Sequence, residues 1–156
     1  MDELSLEHLE AFIVKAKTAT YAGSGALVDS SRSGSTDLRF EEGDFSYRDS
    51  YFGGADFIGE EVVWHRGEPV WAMNYYGYIR EPGKLSDEES GKVLKESLTA
   101  LYREERFLGG FRHQTALGLY VDTNEGELTC FHGLEWTERD GERLYELRYH
   151  GGMIRA

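Results

Sequence analysis

The chain has one cysteine, two prolines and a marked shortage of basic residues. It also lacks any apolar run of the roughly 18 residues that a membrane-crossing helix needs. A lone Cys130 excludes an internal disulfide and fits a reducing compartment. Seventeen Lys and Arg face 29 Asp and Glu, and the resulting net charge of −12 repels phosphate backbones and anionic lipid. Direct nucleic-acid and membrane partners are therefore not expected. The stretch Met1–Glu10 is acidic where a secretion signal is basic, so the expectation is a cytoplasmic protein.

Cofactor and metal signatures are missing as well. Gly23-Ser24-Gly25 follows a predicted helix and lacks the third glycine of a dinucleotide loop, so it reads as a turn. Asp122, Asn124 and Gly126 lack the later glycine and closing glutamate of a calcium loop. Cys130 and His132 share a strand face at i, i+2, but a structural zinc wants four ligands and no others are evident. No Gly-x-Ser-x-Gly elbow is present. No cofactor and no metal are expected.

What is present is a globular composition: 40% apolar, 13% aromatic, with 10 tyrosines and 19 glycines, at a length of 156 residues suited to a single domain spanning 1–156. Leu6, Leu9, Phe12, Ile13 and Ala16 recur at helical spacing and predict a helix over Leu6–Lys17 with Ser5 as N-cap. A Gly/Ser-rich loop follows over Tyr21–Thr36. The period then becomes two: Leu38–Glu41 and Phe45–Phe52 form a hairpin across Glu42-Gly43, followed by Phe57–His65 and Val70–Ile79. Ser86 with Glu89 forms a capping box for a second helix over Asp87–Leu101, striped by Val93, Leu94, Leu98 and Leu101. Strands Ala116–Asp122, Glu127–Trp136 and Leu144–His150 follow, turning at Asn124–Gly126 and at Asp140-Gly141. The expected fold is α+β: a mainly antiparallel, curved sheet of six or seven strands with two helices packed on one face.

One internal echo stands out. Gly43-Asp44, Tyr47, Tyr51 and Gly53-Gly54 match Gly141-Glu142, Tyr145, Tyr149 and Gly151-Gly152 at a constant offset. It reads as two equivalent hairpin arms, or alternatively as two halves flanking a ligand.

Strand alternation supplies the candidate site. Phe45, Tyr47, Asp49 and Tyr51 share a face, as do Ile58, Glu60, Val62 and Trp64. Val70, Ala72, Asn74, Tyr76 and Tyr78 form a third such row, and Leu128, Cys130, His132, Leu134 and Trp136 a fourth. Each row carries one polar group among apolar neighbours. Isolated burial of such a group costs about 1–3 kcal/mol, so these groups pair with one another, line a cavity, or lie on an exposed face. On the cavity reading Asp49, Glu60, Asn74 and His132 face one side with Tyr51, Trp64 and Trp71 as walls, and Arg32 anchors the Gly/Ser-rich loop on Asp37 or grips an anion.

Several stretches carry a family resemblance: Ala16-Lys17 with Thr20-Tyr21-Ala22-Gly23, Ser31-Arg32, Tyr51-Phe52-Gly53-Gly54, and Gly59-Glu60-Glu61 with Trp64. Trp71 with Met73-Asn74-Tyr75 and Gly77, and Tyr149-His150-Gly151-Gly152, continue it. Over nearly its whole length the chain resembles an uncharacterised bacterial and archaeal domain family that also occurs behind Xre-type helix-turn-helix domains in regulators. The resemblance implies a sensor-type module; because the chain starts at the domain's first helix, a free-standing version is expected. Three readings follow: a non-catalytic module binding a small molecule or partner protein; a small-molecule hydrolase or isomerase with Asp49, Glu60 and His132 as acid–base groups; or a structural domain whose tyrosine-rich surface forms a homodimer.

Overall fold

Helix α1 (Leu6–Lys17) begins where the Ser5 side chain accepts a hydrogen bond from the His8 amide, and it buries Leu9, Phe12, Ile13 and Ala16 along one stripe. Its last residue, Lys17, is itself buried. A π-helical turn, Thr18–Ala22, carries the chain off the helix and places Tyr21 beneath it. The computed structural model describes residues 4–22 and 26–156, so the Gly23-Ser24-Gly25 turn expected from the sequence lies outside the described residues.

Nine strands follow among the described residues: β1 (Leu27–Val28), β2 (Thr36–Glu42), β3 (Phe45–Gly53), β4 (Phe57–His65), β5 (Glu68–Ile79), β6 (Phe111–Thr115), β7 (Gly118–Glu127), β8 (Cys130–Arg139) and β9 (Glu142–Met153). Helix α2 (Asp87–Tyr102) separates β5 from β6 and opens with the full Ser86–Glu89 capping box. The strands form one antiparallel sheet in the order β1-β2-β3-β4-β5-β9-β8-β7-β6, which does not close on itself. Two meanders, β1–β5 and β6–β9, thus meet along β5 and β9.

The count of six or seven strands is too low. Strand β1 is two residues long, too short to show a period, and β6 carries the unbroken polar run Arg112, His113, Gln114 that reads as loop. The turn expected at Asn124–Gly126 is also displaced. Those residues continue β7, paired with Gly133, His132 and Phe131, and the chain reverses at Leu128-Thr129 instead.

Both helices lie on one face of the sheet, α1 against β2 and β3, α2 against β6 and β7. That inner face carries Tyr47, Val63, Trp71, Tyr75, Phe131, Leu144 and Tyr145, all buried. Trp71 donates its indole N–H to the Leu128 carbonyl (3.2 Å) and stacks on Phe131, so its large apolar surface is buried without an orphaned donor. The echo at Tyr47 and Tyr145 belongs to two strands, β3 and β9, that each follow a hairpin turn on a left-handed glycine, Gly43 (φ 61°) and Gly141 (φ 78°).

Candidate functional site

Among the described residues the inner face carries four buried carboxyl groups: Asp49 on β3, Glu61 on β4, Asp122 on β7 and Glu135 on β8. Each is held by side-chain donors, and most of them are tyrosines. Tyr21 and Tyr75 donate to Asp49 (3.0 and 2.7 Å). Tyr47 donates to Glu61 (2.5 Å), which also receives the Lys17 ammonium on both oxygens (2.9 and 3.0 Å). Tyr149 donates to Asp122 (2.7 Å), with Asn124 at 3.4 Å. Glu135 accepts from Tyr120 and from Tyr145 (3.1 Å).

The two half-sheets build this in the same way. Tyr47-x-Asp49 on β3, Gly59-x-Glu61 on β4 and Tyr75 on β5 have as counterparts Tyr120-x-Asp122 on β7, Gly133-x-Glu135 on β8 and Tyr149 on β9. Tyr75 and Tyr149 are themselves cross-strand partners, so the duplication is centred on the β5–β9 junction. In each half a tyrosine ring crosses a glycine on the neighbouring strand to reach an aspartate one strand further on. A Cβ at Gly133 would fall within the Tyr149 ring, and one at Gly59 would meet the Tyr75 hydroxyl end. Gly133→Ala is therefore expected to push the ring off Asp122 and lower stability by about 2 kcal/mol or more, read from denaturant unfolding. An alanine variant as stable as the parent would contradict that packing.

Between this face and α2 lies a cavity of about 260 Å³. Glu61, Asp122 and Glu135 reach it, together with Lys17 and the hydroxyl-bearing rings of Tyr75 and Tyr149. Leu94 and Leu98 of α2 form its roof, and the exposed Gly91 and Lys95 stand at its mouth. This is why the apolar stripe of α2 is only half-buried at Leu94 and Leu98 while Val93 and Leu101 are covered.

Burial sets the electrostatics. It pushes the Asp122 carboxyl up to about 6 against the hydrogen bonds of Tyr149 and Asn124. Burial, aided by the Asp122 charge, raises Glu135 to about 7. Asp49 rises to about 7 through burial and the neighbouring Glu61. The tyrosines that serve these groups are held above their ordinary value, chiefly by burial, and so remain donors.

The sequence candidates separate between the two faces. Asp49 and Tyr51 are on the inner face, and Trp71 is in the core, away from the cavity lining. Glu60, Asn74 and His132 stand exposed on the outer face, so the expectation that they share one side with Asp49 is corrected. They do share a row with each other: Glu60 pairs with Asn74, Asn74 with His150, and His150 with His132. Trp64, half-buried, follows a bulge between Val63 and Trp64. Arg32 does not pair with Asp37. Asp37 takes Arg48 (2.6 Å) and Ser35 (2.6 Å), while Arg32 reaches Ser50 (3.4 Å) and lies over the Phe52 ring. Among the described residues no group of three His, Cys, Asp or Glu is arranged to hold a metal ion, and no helix is long and apolar enough to cross a membrane.

The phase error has a physical source. In β4, β5 and β8 the outer face also carries large apolar residues (Ile58, Tyr76, Leu134), while the inner face includes the glycines over which the tyrosines lie. Counting apolar residues therefore favours the wrong face. The usable signal is the repeated Tyr-x-Asp, Gly-x-Glu, Tyr series, which sequence reasoning missed.

A family model described as a domain of unknown function, DUF5680, matches residues 49–154, a span that holds all four inner-face carboxyl groups but begins after Lys17, Tyr21 and Tyr47. No curated protein matches the chain, and no solved structure does.

Proposed function

The chain belongs to the DUF5680 family, whose function is unknown, and from the geometry of its inner cavity we propose that it is a binding module for a small molecule. The carrying observation is the cavity itself. About 260 Å³ is left unfilled in a face where ionisable side chains are otherwise held by paired donors. A convergence of a few polar groups within apolar walls is the usual make-up of a ligand site. The resemblance to domains behind Xre-type regulators supports a sensory role for such binding.

Gly91 provides the test. A Cβ added there meets nothing within 4 Å, and the exposed residue lines the cavity on α2. Gly91→Leu is expected to stabilise the helix by about 0.5–1 kcal/mol while obstructing entry. A ligand-detected NMR screen of mixed small fragments should yield binders to the parent that are lost in Gly91→Leu. Absence of any binder, or binders indifferent to the substitution, would count against the cavity.

A second reading, an acid–base hydrolase or isomerase, is favoured by one observation: Asp122 and Glu135 both line the cavity, where burial raises their carboxyls to about 6 and about 7. On this reading the acid–base groups are Asp122 and Glu135, in place of Glu60 and His132. Chemical change of a bound fragment, abolished by Glu135→Gln, would separate it from binding alone.

A further inference from the structure

The two halves of the array differ in one respect. In the first half, the Lys17 ammonium sits on Glu61, and its three protons are directed at Glu61 Oε1, Glu61 Oε2 and Met73 Sδ. The second half has the same pair of carboxyl groups, Asp122 and Glu135, but no described lysine or arginine forms an ion pair with either. Lys17 acts on Asp122 and Glu135, and Arg106 on Asp122, only through space: the Lys17 protons go to Glu61 and Met73, and the Arg106 N–H groups go to Glu104 and to the Leu108 and Gly110 carbonyls. Lys95, at the mouth, is exposed.

Hydrogen-bond capacity points the same way. The tyrosine hydroxyls around the second pair already donate to it, and the Lys17 protons are used. A carboxylate offers about four acceptor positions, so Asp122 and Glu135, each with two donors, keep acceptors free. Tyr102, only 7% exposed, also lines the cavity, and no described residue hydrogen-bonds its hydroxyl. The cavity wall thus has a surplus of acceptors beside apolar and aromatic surface, and the Tyr102 hydroxyl is its one buried donor without a partner among the described residues.

Building on the small-molecule reading, we propose that the cavity takes a small organic amine. Its ammonium seats on Asp122 and Glu135, in the role that Lys17 plays for Glu61, and its apolar body packs beneath Leu94 and Leu98. The one lining cation whose charge has no partner among the described residues, Lys95, is exposed, so an anion carried inward past it meets the carboxyl pair, and a neutral ligand leaves ionisation of that pair uncompensated. An ammonium instead supplies the missing donors, with aromatic rings close by. Its arrival favours the ionised carboxylates, so near pH 6.5 binding expels protons from the pair into solvent.

Titration calorimetry with three probes of similar shape tests this: phenethylamine, 2-phenylethanol and phenylacetate, at pH 6.5 in phosphate and in ACES, two buffers of different ionisation heat. Phenethylamine is expected to bind at least tenfold more tightly than the other two, with a heat that differs between the buffers because protons are released. Asp122→Asn with Glu135→Gln keeps the side-chain shapes, and should weaken phenethylamine at least tenfold while leaving 2-phenylethanol unchanged. Equal or tighter binding of the alcohol or the carboxylate overturns the amine assignment and leaves the cavity reading standing. So does phenethylamine binding that releases no proton or ignores the double variant. If none of the three binds at millimolar concentration, the cavity reading itself fails.

Discussion

Lys17→Met is expected to lower the stability of the protein by about 3–5 kcal/mol, the effect of leaving one partner of a buried ion pair alone. Lys17 and Glu61 are 3% and 1% exposed, and the ammonium is also placed 4.9 Å from the centre of the Phe107 ring. Methionine fills most of the lysine volume but supplies no proton. Glu61 then has only the Tyr47 hydroxyl, and Asp49 stands nearby as a second carboxyl. The glutamate must either stay charged without compensation or take up a proton. Chemical denaturation of Lys17→Met, Glu61→Gln and the double variant separates these terms. The double variant should recover most of the loss, because the introduced amide can still accept from Tyr47 without a buried charge. A loss below about 1 kcal/mol in Lys17→Met would show that the pair does not hold this end of α1 to the sheet.

Stability should fall as pH rises from about 4.5 to 7.5. Asp49, Asp122 and Glu135 have folded values raised from 3.8, 3.8 and 4.5 to about 7, 6 and 7. For a carboxyl raised on folding, the native state holds the proton more tightly than the unfolded chain does. Its contribution is fully present below the unfolded value and is lost as pH climbs through the folded one. Each group contributes a slope of up to about 1.4 kcal/mol per pH unit inside its window. Together they are expected to remove about 3 kcal/mol or more across the range. Asp37 behaves oppositely. Burial would raise it, but hydrogen bonds from Ser35, Ser31 and Arg48 win and hold it well below the usual carboxylate range. Its contribution is present above the ordinary aspartate value and is lost as pH falls further, so the stability maximum should lie near pH 4–5. Urea midpoints at pH 4.5, 6.0 and 7.5 measure the trend, and Asp122→Asn with Glu135→Gln should flatten it. A midpoint that rises over this range would contradict the buried, proton-holding state of these groups. A bound amine, by ionising the pair with compensation, should restore stability at neutral pH.

Much of the architecture follows from local chemistry. The Ser5 cap and the stripe Leu9, Phe12, Ile13 define α1, and the Ser86–Glu89 capping box opens α2 at the residue expected. Strand β4 over Phe57–His65 and the reversal at Asp140-Gly141 are likewise legible, because turn glycines and alternation act within a few residues of themselves. The two additional strands are not legible. Strand β1 exists through its pairing with β2, and β6 through its pairing with β7, so neighbouring strands decide what two or five residues do.

The ingredients of the site are written in the chain: the acids, the tyrosines, and the glycines two residues before Glu61 and Glu135. The face they occupy is settled in three dimensions. In β4, β5 and β8 both faces offer apolar surface, and period two specifies alternation without specifying which face is inside. The helices break that tie. With α1 and α2 packed on one side, Glu61 and Glu135 go inward because tyrosines on adjacent strands reach them there, and Glu60 and His132 go outward to water. The lysine that balances one carboxyl pair comes from α1, far from that pair in the chain, and the second pair has no described counterpart to it. Such an imbalance exists only once the two halves stand side by side.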